Sequence, residues 1–199
     1  MSGAFPLTPS PRGIKIQSLQ PTRVSLSHNL RSSVRTTGAQ RWLVTADWVG
    51  LTRAQFAPIQ AFVIAQRGQT DSFTMVLPGH KQPQGVATVT PLVNGAAQSG
   101  RALATKGWSA SVTGLLKAGD FIGIAGQTKV YMVTADASSD ASGNATLTIE
   151  PGLMSSPADG AALVVRNVPF TLALAGDSVE MAVSPPVIYN FSLPLVEAF

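Results

Sequence analysis

The run from Ser109 to Glu150, SASVTGLLKAGDFIGIAGQTKVYMVTADASSDASGNATLTIE, most constrains what this chain can become. It reads as strand, turn, strand, turn, strand, polar loop, strand. Phe121, Ile122 and Ile124 lead into a turn at Gly126-Gln127, and Val130, Tyr131, Met132 and Val133 follow. A loop of Asp, Ser and Gly then leads to Leu147 and Ile149. Short β-rich runs at this spacing, each closed by Gly, Asp, Asn or Ser, specify a small antiparallel barrel or sandwich. The residues between the apolar positions are small and uncharged, which is scaffold chemistry rather than catalytic apparatus.

Composition points the same way. Charged residues make up only 12% of the 199 residues and hydrophobic ones 45%, against about 25% charged in ordinary globular domains. A monomer normally carries more surface charge, so low charge with abundant Ala, Gly, Ser and Thr predicts surfaces facing other subunits; the plain alternative is a secreted β-domain. There is no cysteine, which removes disulfides, thiolate metal sites and a cysteine nucleophile together. No apolar run reaches the length of a membrane span. The N-terminus MSGAFPLTPSPRG has no basic n-region or apolar h-region and does not read as a secretory signal; its prolines suggest an extended arm. Residues 1–53 hold Arg12, Lys15, Arg23, Arg31, Arg35, Arg41 and Arg53 against Asp47 alone. These arginines fall at strand-like spacing without Lys clusters or interleaved aromatics. That favours a solvated or subunit-facing strand surface over a specific nucleic-acid site.

Along the chain, residues 12–50 read as β-rich, with Val24, Leu26 and Leu30 preceding a break at Thr37-Gly38. In RWLVTADWVG, Trp42, Val44, Ala46 and Trp48 alternate, so they share one face. Residues 52–67 predict one helix. Thr52 is its N-cap, Gln55 completes a capping box, Phe56, Ile59, Phe62 and Val63 form one apolar stripe, and Gly68 stops it. Pro58 lies beyond the first position and predicts a kink or a late start. A strand with Phe73, Met75 and Leu77 alternating comes next, then the polar, turn-rich segment 79–91. After the β-module come strands marked by Leu172 and Leu174, by Val179, Met181 and Val183, and by Ile188, Phe191, Leu193 and Leu195. Pro185-Pro186 and Pro194 confine the last stretch to an edge or an extended arm. Three strands alone make a marginal sheet, so they are expected to join the sheet built from residues 12–78. The expected fold class is mainly β with an α+β base. The base domain (1–85 plus 169–199) is β-sandwich-like with one helix, and an inserted β-barrel-like module (86–168) interrupts it.

No catalytic, cofactor-binding or metal-binding residue stands out, so each of these sets is expected to be empty. His28 and His80 lack partners at metal-ligand spacing and read as turn or surface histidines. Asp136 and Asp140 form the best oxygen-rich cluster, but Ala and Ser interrupt any calcium-loop pattern, and a solvated hairpin loop is expected. Asp120 has a sufficient role in a turn, and Glu150, Asp159, Asp177 and Glu180 each lie beside turn residues. No phosphate loop, dinucleotide fingerprint or nucleophile elbow is present, and Gly123, Gly126 and Gly143 read as hairpin bends. Trp42 and Trp48 are expected in the base core. Trp108 is expected at a module interface.

Several segments taken together resemble the distal tail and minor tail proteins of long-tailed phages. RWLVTADWVGLTRAQFAPIQAFVIAQRGQTDSFTMVLPG is similar to their base: a strand, a helix ending in Ala61-Phe62 through Arg67-Gly68, then Phe73 and Pro78-Gly79. The ending FSLPLVEAF closes, as theirs do, on a Leu/Val-Glu pair. The stretches LLKAGDFIGIAGQTKVYMVT and GNATLTIEPGLMSSPADGAALVV together resemble their inserts. The resemblance implies a structural virion protein and not an enzyme. It would form a homo-oligomeric, hexameric ring at the tail tip, assembled in the bacterial host cytoplasm. The ring would join the tail tube protein to the tip or baseplate hub protein, with an OB-like barrel facing outward, no cofactor, no membrane partner, and nucleic acid only in passage through the lumen. The low charge and extended arms suit such a ring subunit. Competing readings are another tail ring protein (tube or terminator) and a host-glycan module using Trp108 or Tyr131; a wall-cleaving hydrolase lacks a catalytic constellation.

Overall fold

Strand β4 (Arg41–Leu51) organises the first half of the molecule. Its buried residues alternate from Trp42 through Val44 and Ala46 to Trp48, so one face of the strand is committed to a core and the other is not. In this computed structural model, which describes residues 3–184 and 188–199, β4 pairs on one side with β1 (Gly13–Leu19) and on the other with β14 (Ile188–Glu197). The strand order is β1-β4-β14-β12-β5, with β5 spanning Phe73–Val76, β12 spanning Pro169–Leu174, and β13 (Met181–Ser184) pairing with β14 off this path. Strands that close the chain therefore complete a sheet begun by its first third, as their lack of other partners required. Pro185-Pro186 lies outside the described residues, as does the side chain of Val183.

Helix α1 (Arg53–Ala65) packs Phe56, Ile59 and Val63 on this sheet. Thr52 is extended at the cap, and its backbone N–H donates to Oε1 of Gln55 at 3.0 Å, the Gln55 half of a capping box. The helix starts at Arg53 and runs through Pro58, so the expected late start does not occur. Phe62 is half-buried and meets Phe5 and Phe73 edge-on, with ring centroids 5.2 and 5.3 Å away. Residues 3–12 do not extend away from the subunit as the prolines suggested. Phe5 is buried against Trp48, Phe62 and Phe73; its N–H donates to Thr74 O at 2.8 Å, and Trp48 Nε1 donates to Pro9 O at 2.9 Å. An aromatic side chain of this size buried in a core outweighs whatever freedom the prolines left the arm.

A hairpin of β2 (Thr22–Leu26) and β3 (Ser32–Thr36) stands between β1 and β4, and every residue of both strands is exposed. It turns at residues 27–31, where Leu30 takes φ 61° and the Ser27 N–H donates to Arg31 O.

The second sheet comprises β6 (Leu92–Val93), β7 (Ala102–Lys106), β8 (Phe121–Ile124), β9 (Val130–Val133), β10 (Ala145–Glu150) and β11 (Leu163–Val164), in the order β11-β8-β9-β10-β7-β6. Its two edges meet: Val93 N donates to Ala161 O at 2.9 Å and Leu163 N to Pro91 O at 2.8 Å, so the six strands curl into a nearly closed barrel. Closure removes the exposed edges that an open sheet of this size presents. The interior holds Val93, Leu103, Leu115, Leu116, Ile122, Ile124, Tyr131, Val133, Leu147 and Ile149.

Two expectations about this half need correction. The segment after Ser109 forms no strand, because it runs along the Ser138–Asp140 loop through irregular bonds, among them Ser111 N to Asp140 O and Ser139 N to Val112 O, both 2.9 Å. Trp108 is not at a module interface. It is buried within the barrel, its Nε1 donating to Thr105 Oγ1 at 2.7 Å. Gly143 makes this possible, with φ 73° and a backbone so close that an added Cβ would lie 2.4 Å from Trp108 O.

Candidate functional site

The two halves meet through a buried junction. Phe121 of β8 and Val130 of β9 belong to the same apolar cluster as Trp42, Phe170 and Leu195. Phe121 meets Trp42 and Phe170 edge-on at 5.3 and 5.2 Å, and Trp42 Nε1 donates to Val130 O at 2.9 Å. The barrel's β8–β9 hairpin is therefore a wedge in the core of the base.

A buried ion pair lies in this wedge. Lys129 precedes β9, Glu197 ends β14, and their side chains are 3% and 0% exposed. Lys129 Nζ donates to Glu197 Oε2, to Gln40 Oε1 at 2.6 Å and to Gln40 O at 3.1 Å. Glu197 Oε2 also accepts from Trp42 N at 3.2 Å, and Oε1 from Val130 N at 3.0 Å. A buried ammonium and carboxylate are tolerable only when their hydrogen-bonding capacity is filled, and here three strands and the 37–40 loop fill it. Burial pushes the Lys129 ammonium below its ordinary range, with the hydrogen bond and charge of Glu197 opposing that shift. Phe199 lies over the pair, its ring centroid 5.0 Å from Lys129 Nζ and 5.1 Å from Arg41 Cζ.

The crossing from base to barrel is anchored by a carboxylate. Asp120, buried, accepts from the backbone N–H groups of Gln84 at 2.7 Å, Lys117 at 2.8 Å and Gly85 at 3.3 Å. Gly85 lies so close to Leu115 that an added Cβ would sit 2.1 Å from its carbonyl oxygen, so no other residue fits. Sequence reasoning gave Asp120 a turn role, and its bond to Lys117 is that turn. The link to Gln84 and Gly85 spans a sequence separation that composition does not reveal.

The remaining candidates are dispersed. His28 lies in the exposed β2–β3 turn, and His80 packs edge-on against Phe121 at 5.3 Å. Asp136 accepts from Ala118 N at 3.0 Å. Asp140 Oδ1 accepts from Asn144 N and Ser142 N, both at 2.8 Å, which closes its own loop. The Asn144 N–H is the main cause holding this carboxyl below its ordinary value. The Lys106 ammonium at 2.8 Å does the same for Asp159. Among the described residues no three His, Asp or Glu side chains gather at metal-binding distance, and no helix is long and apolar enough to cross a membrane. Trp42, Trp48 and Trp108 are all buried, so none offers a stacking platform for a sugar. Tyr131 is likewise enclosed, its hydroxyl donating to Gln127 Oε1 at 3.0 Å and accepting from Met154 N at 3.2 Å; burial pushes its pKa up.

Two surface features remain, a groove and an exposed ribbon. A groove of about 780 Å³ opens beside β4, β14 and the segment before β13, lined by Asp47, Val49, Val179 and Glu180 among others. The β2–β3 ribbon exposes Val24, Leu26, Leu30 and Val34. A search of curated proteins finds none that matches this chain. Residues 80–168, which span the crossing and the whole barrel, match the family described as distal tail protein pb9, B domain. This match supports a likeness to the phage distal tail proteins, carried by the barrel.

Proposed function

We propose that this protein is a non-enzymatic ring subunit of the phage tail tip, joining the tail tube to the hub. The observation that carries the reading is the pb9-type B domain at residues 80–168, seated through a buried core on a sheet built from both chain ends. A hexamer assembled in the host cytoplasm, with residues 1–85 and 169–199 forming the ring and residues 86–168 projecting from it, is the arrangement this favours. Charged residues at only 12% suit a subunit whose lateral faces meet its neighbours. Function here is geometric: a collar transmits symmetry and force from tube to tip, and a barrel wedged into the base moves with it. The partners are further copies of this chain, the tube protein and the hub protein.

The test is negative-stain electron microscopy of the purified protein with mass measurement in solution. Closed rings of uniform symmetry, at a multiple of 20.7 kDa, are the expected result. A strict monomer in solution and in isolated tails refutes the reading.

A further inference from the structure

We infer that the β2–β3 ribbon of one copy docks into the groove beside β4 and β14 of the next, and that this contact closes the ring. The inference rests on the ring reading above and assigns the surface that makes it. The ribbon has two unlike faces. Val24 and Val34 are cross-strand partners, and with Leu26 they make one face apolar; they are 61, 60 and 68% exposed. Arg23 and Arg35 are the neighbouring cross-strand pair and lie on the other face. Like charges directly opposed weaken a hairpin, and a two-stranded ribbon with both faces in water is marginal. Both costs are relieved by a partner that covers the valines and places carboxylates beside the arginines.

The groove has that chemistry. Val49, 51% exposed, and Val179 supply apolar lining, and Asp47 and Glu180 supply the carboxylates. Neither carboxylate joins an ion pair among the described residues. Among the described residues no basic side chain lines the groove.

The placement sets the symmetry. The ribbon leaves the sheet where Leu19 pairs with Arg41, whereas the groove opens where β4 reaches Asp47, the partner of Gly13. Six strand residues of about 3.4 Å each put the two roughly 20 Å apart, at opposite ends of one rigid strand pair. A subunit therefore cannot fill its own groove with its own ribbon. A surface at one end that fits a surface at the other is a heterologous contact, the kind that generates rings when the rotation closes.

A charge-swap experiment on the full chain tests this, read by native mass spectrometry and sedimentation. The ribbon variant is Arg23→Glu with Arg35→Glu; the groove variant is Asp47→Asn with Glu180→Arg. Because Asp47 is half-buried, Glu180→Arg alone serves as a second groove variant, and melting curves check that all three fold. Each variant alone should associate at least about 10-fold more weakly than the wild type, the range for close interfacial charge pairs. An equimolar mixture of ribbon and groove variants should recover assembly, because reversed ribbon meets reversed groove and native meets native around an alternating ring. A wild-type ring with both variants unaffected, or a mixture that stays dissociated, overturns this contact and leaves the ring reading standing. A wild type that never assembles overturns both. Variants that assemble normally but lose retention on short duplex DNA overturn the docking in favour of a nucleic-acid surface.

Discussion

Replacing Lys129 with Met should destabilise the protein far more than breaking any exposed ion pair. The substitution conserves much of the apolar stem but removes the ammonium, leaving the fully buried Glu197 carboxylate with only the Trp42 and Val130 backbone donors. Gln40 loses the donor to its side-chain and backbone oxygens as well. Breaking a buried pair by removing one partner costs about 3–5 kcal/mol. At about 2–4 °C per kcal/mol for a chain of this size, the midpoint should fall by about 6–20 °C. Arg101→Ala is the internal contrast. It breaks an ion pair with Glu150 at 2.8 Å whose side chains are 65 and 29% exposed, and exposed pairs contribute about 1 kcal/mol or less. Scanning calorimetry with parallel urea unfolding measures both. Adding Glu197→Gln to Lys129→Met removes the uncompensated charge, so the double variant should lose less than the sum of the two single losses, by roughly 0.5–3 kcal/mol. A Lys129→Met loss no larger than that of Arg101→Ala would refute the reasoning, since it would mean that water reaches the pair.

The same geometry sets other expectations. Phe5→Ala should lower stability by about 3–5 kcal/mol, the cost of truncating a buried Phe, because the ring packs on Trp48, Phe62 and Phe73; an unchanged melting point would mean that the arm is not docked in solution. Phe62→Ala, at a half-buried position, should cost less than Phe5→Ala in the same assay. The Asp140 carboxyl is held below the ordinary 3.8 by its loop N–H groups, so its contribution is present above 3.8 and lost as pH falls through the lowered folded value. The melting-point gap between wild type and Asp140→Ala should accordingly narrow between neutral pH and about pH 2. Exchanging residues 86–168 for a short linker between Gly85 and Pro169 strips Phe121 and Val130 from the base core and leaves Glu197 without Lys129. The truncated base should lose solubility. A truncated base with wild-type solubility and melting would contradict the shared core.

Much of this architecture was legible where one physical signal dominates. Period-two alternation marked the buried face of β4 from Trp42 to Trp48, and the helix stripe and its Thr52–Gln55 cap were local enough to read directly. The barrel showed in the turn-separated runs at Phe121–Ile124, Val130–Val133 and Ala145–Glu150. The junction was not legible, because Lys129 and Glu197 are 68 residues apart and each reads alone as a surface charge. One signal did exist. Leu193, Leu195 and Glu197 share a face at period two, and the first two are core residues, which puts the carboxylate on the buried side. Trp108 was misplaced because its anchors, Thr105 and the Gly143 loop, converge only once the barrel closes. The docked arm was hidden by its prolines, which describe how stiff a segment is and not what Phe5 packs against.

The most direct test of the central claim is a cryo-electron microscopy reconstruction of the intact phage tail tip. Copies of this chain should form a ring between tube and hub, with the 3–76 and 169–197 sheets side by side around the lumen and the 92–164 barrels outside. Each ribbon at residues 22–36 should lie on the neighbouring copy. A tip in which the chain is absent, is present as isolated copies, or turns its barrels into the lumen would contradict it.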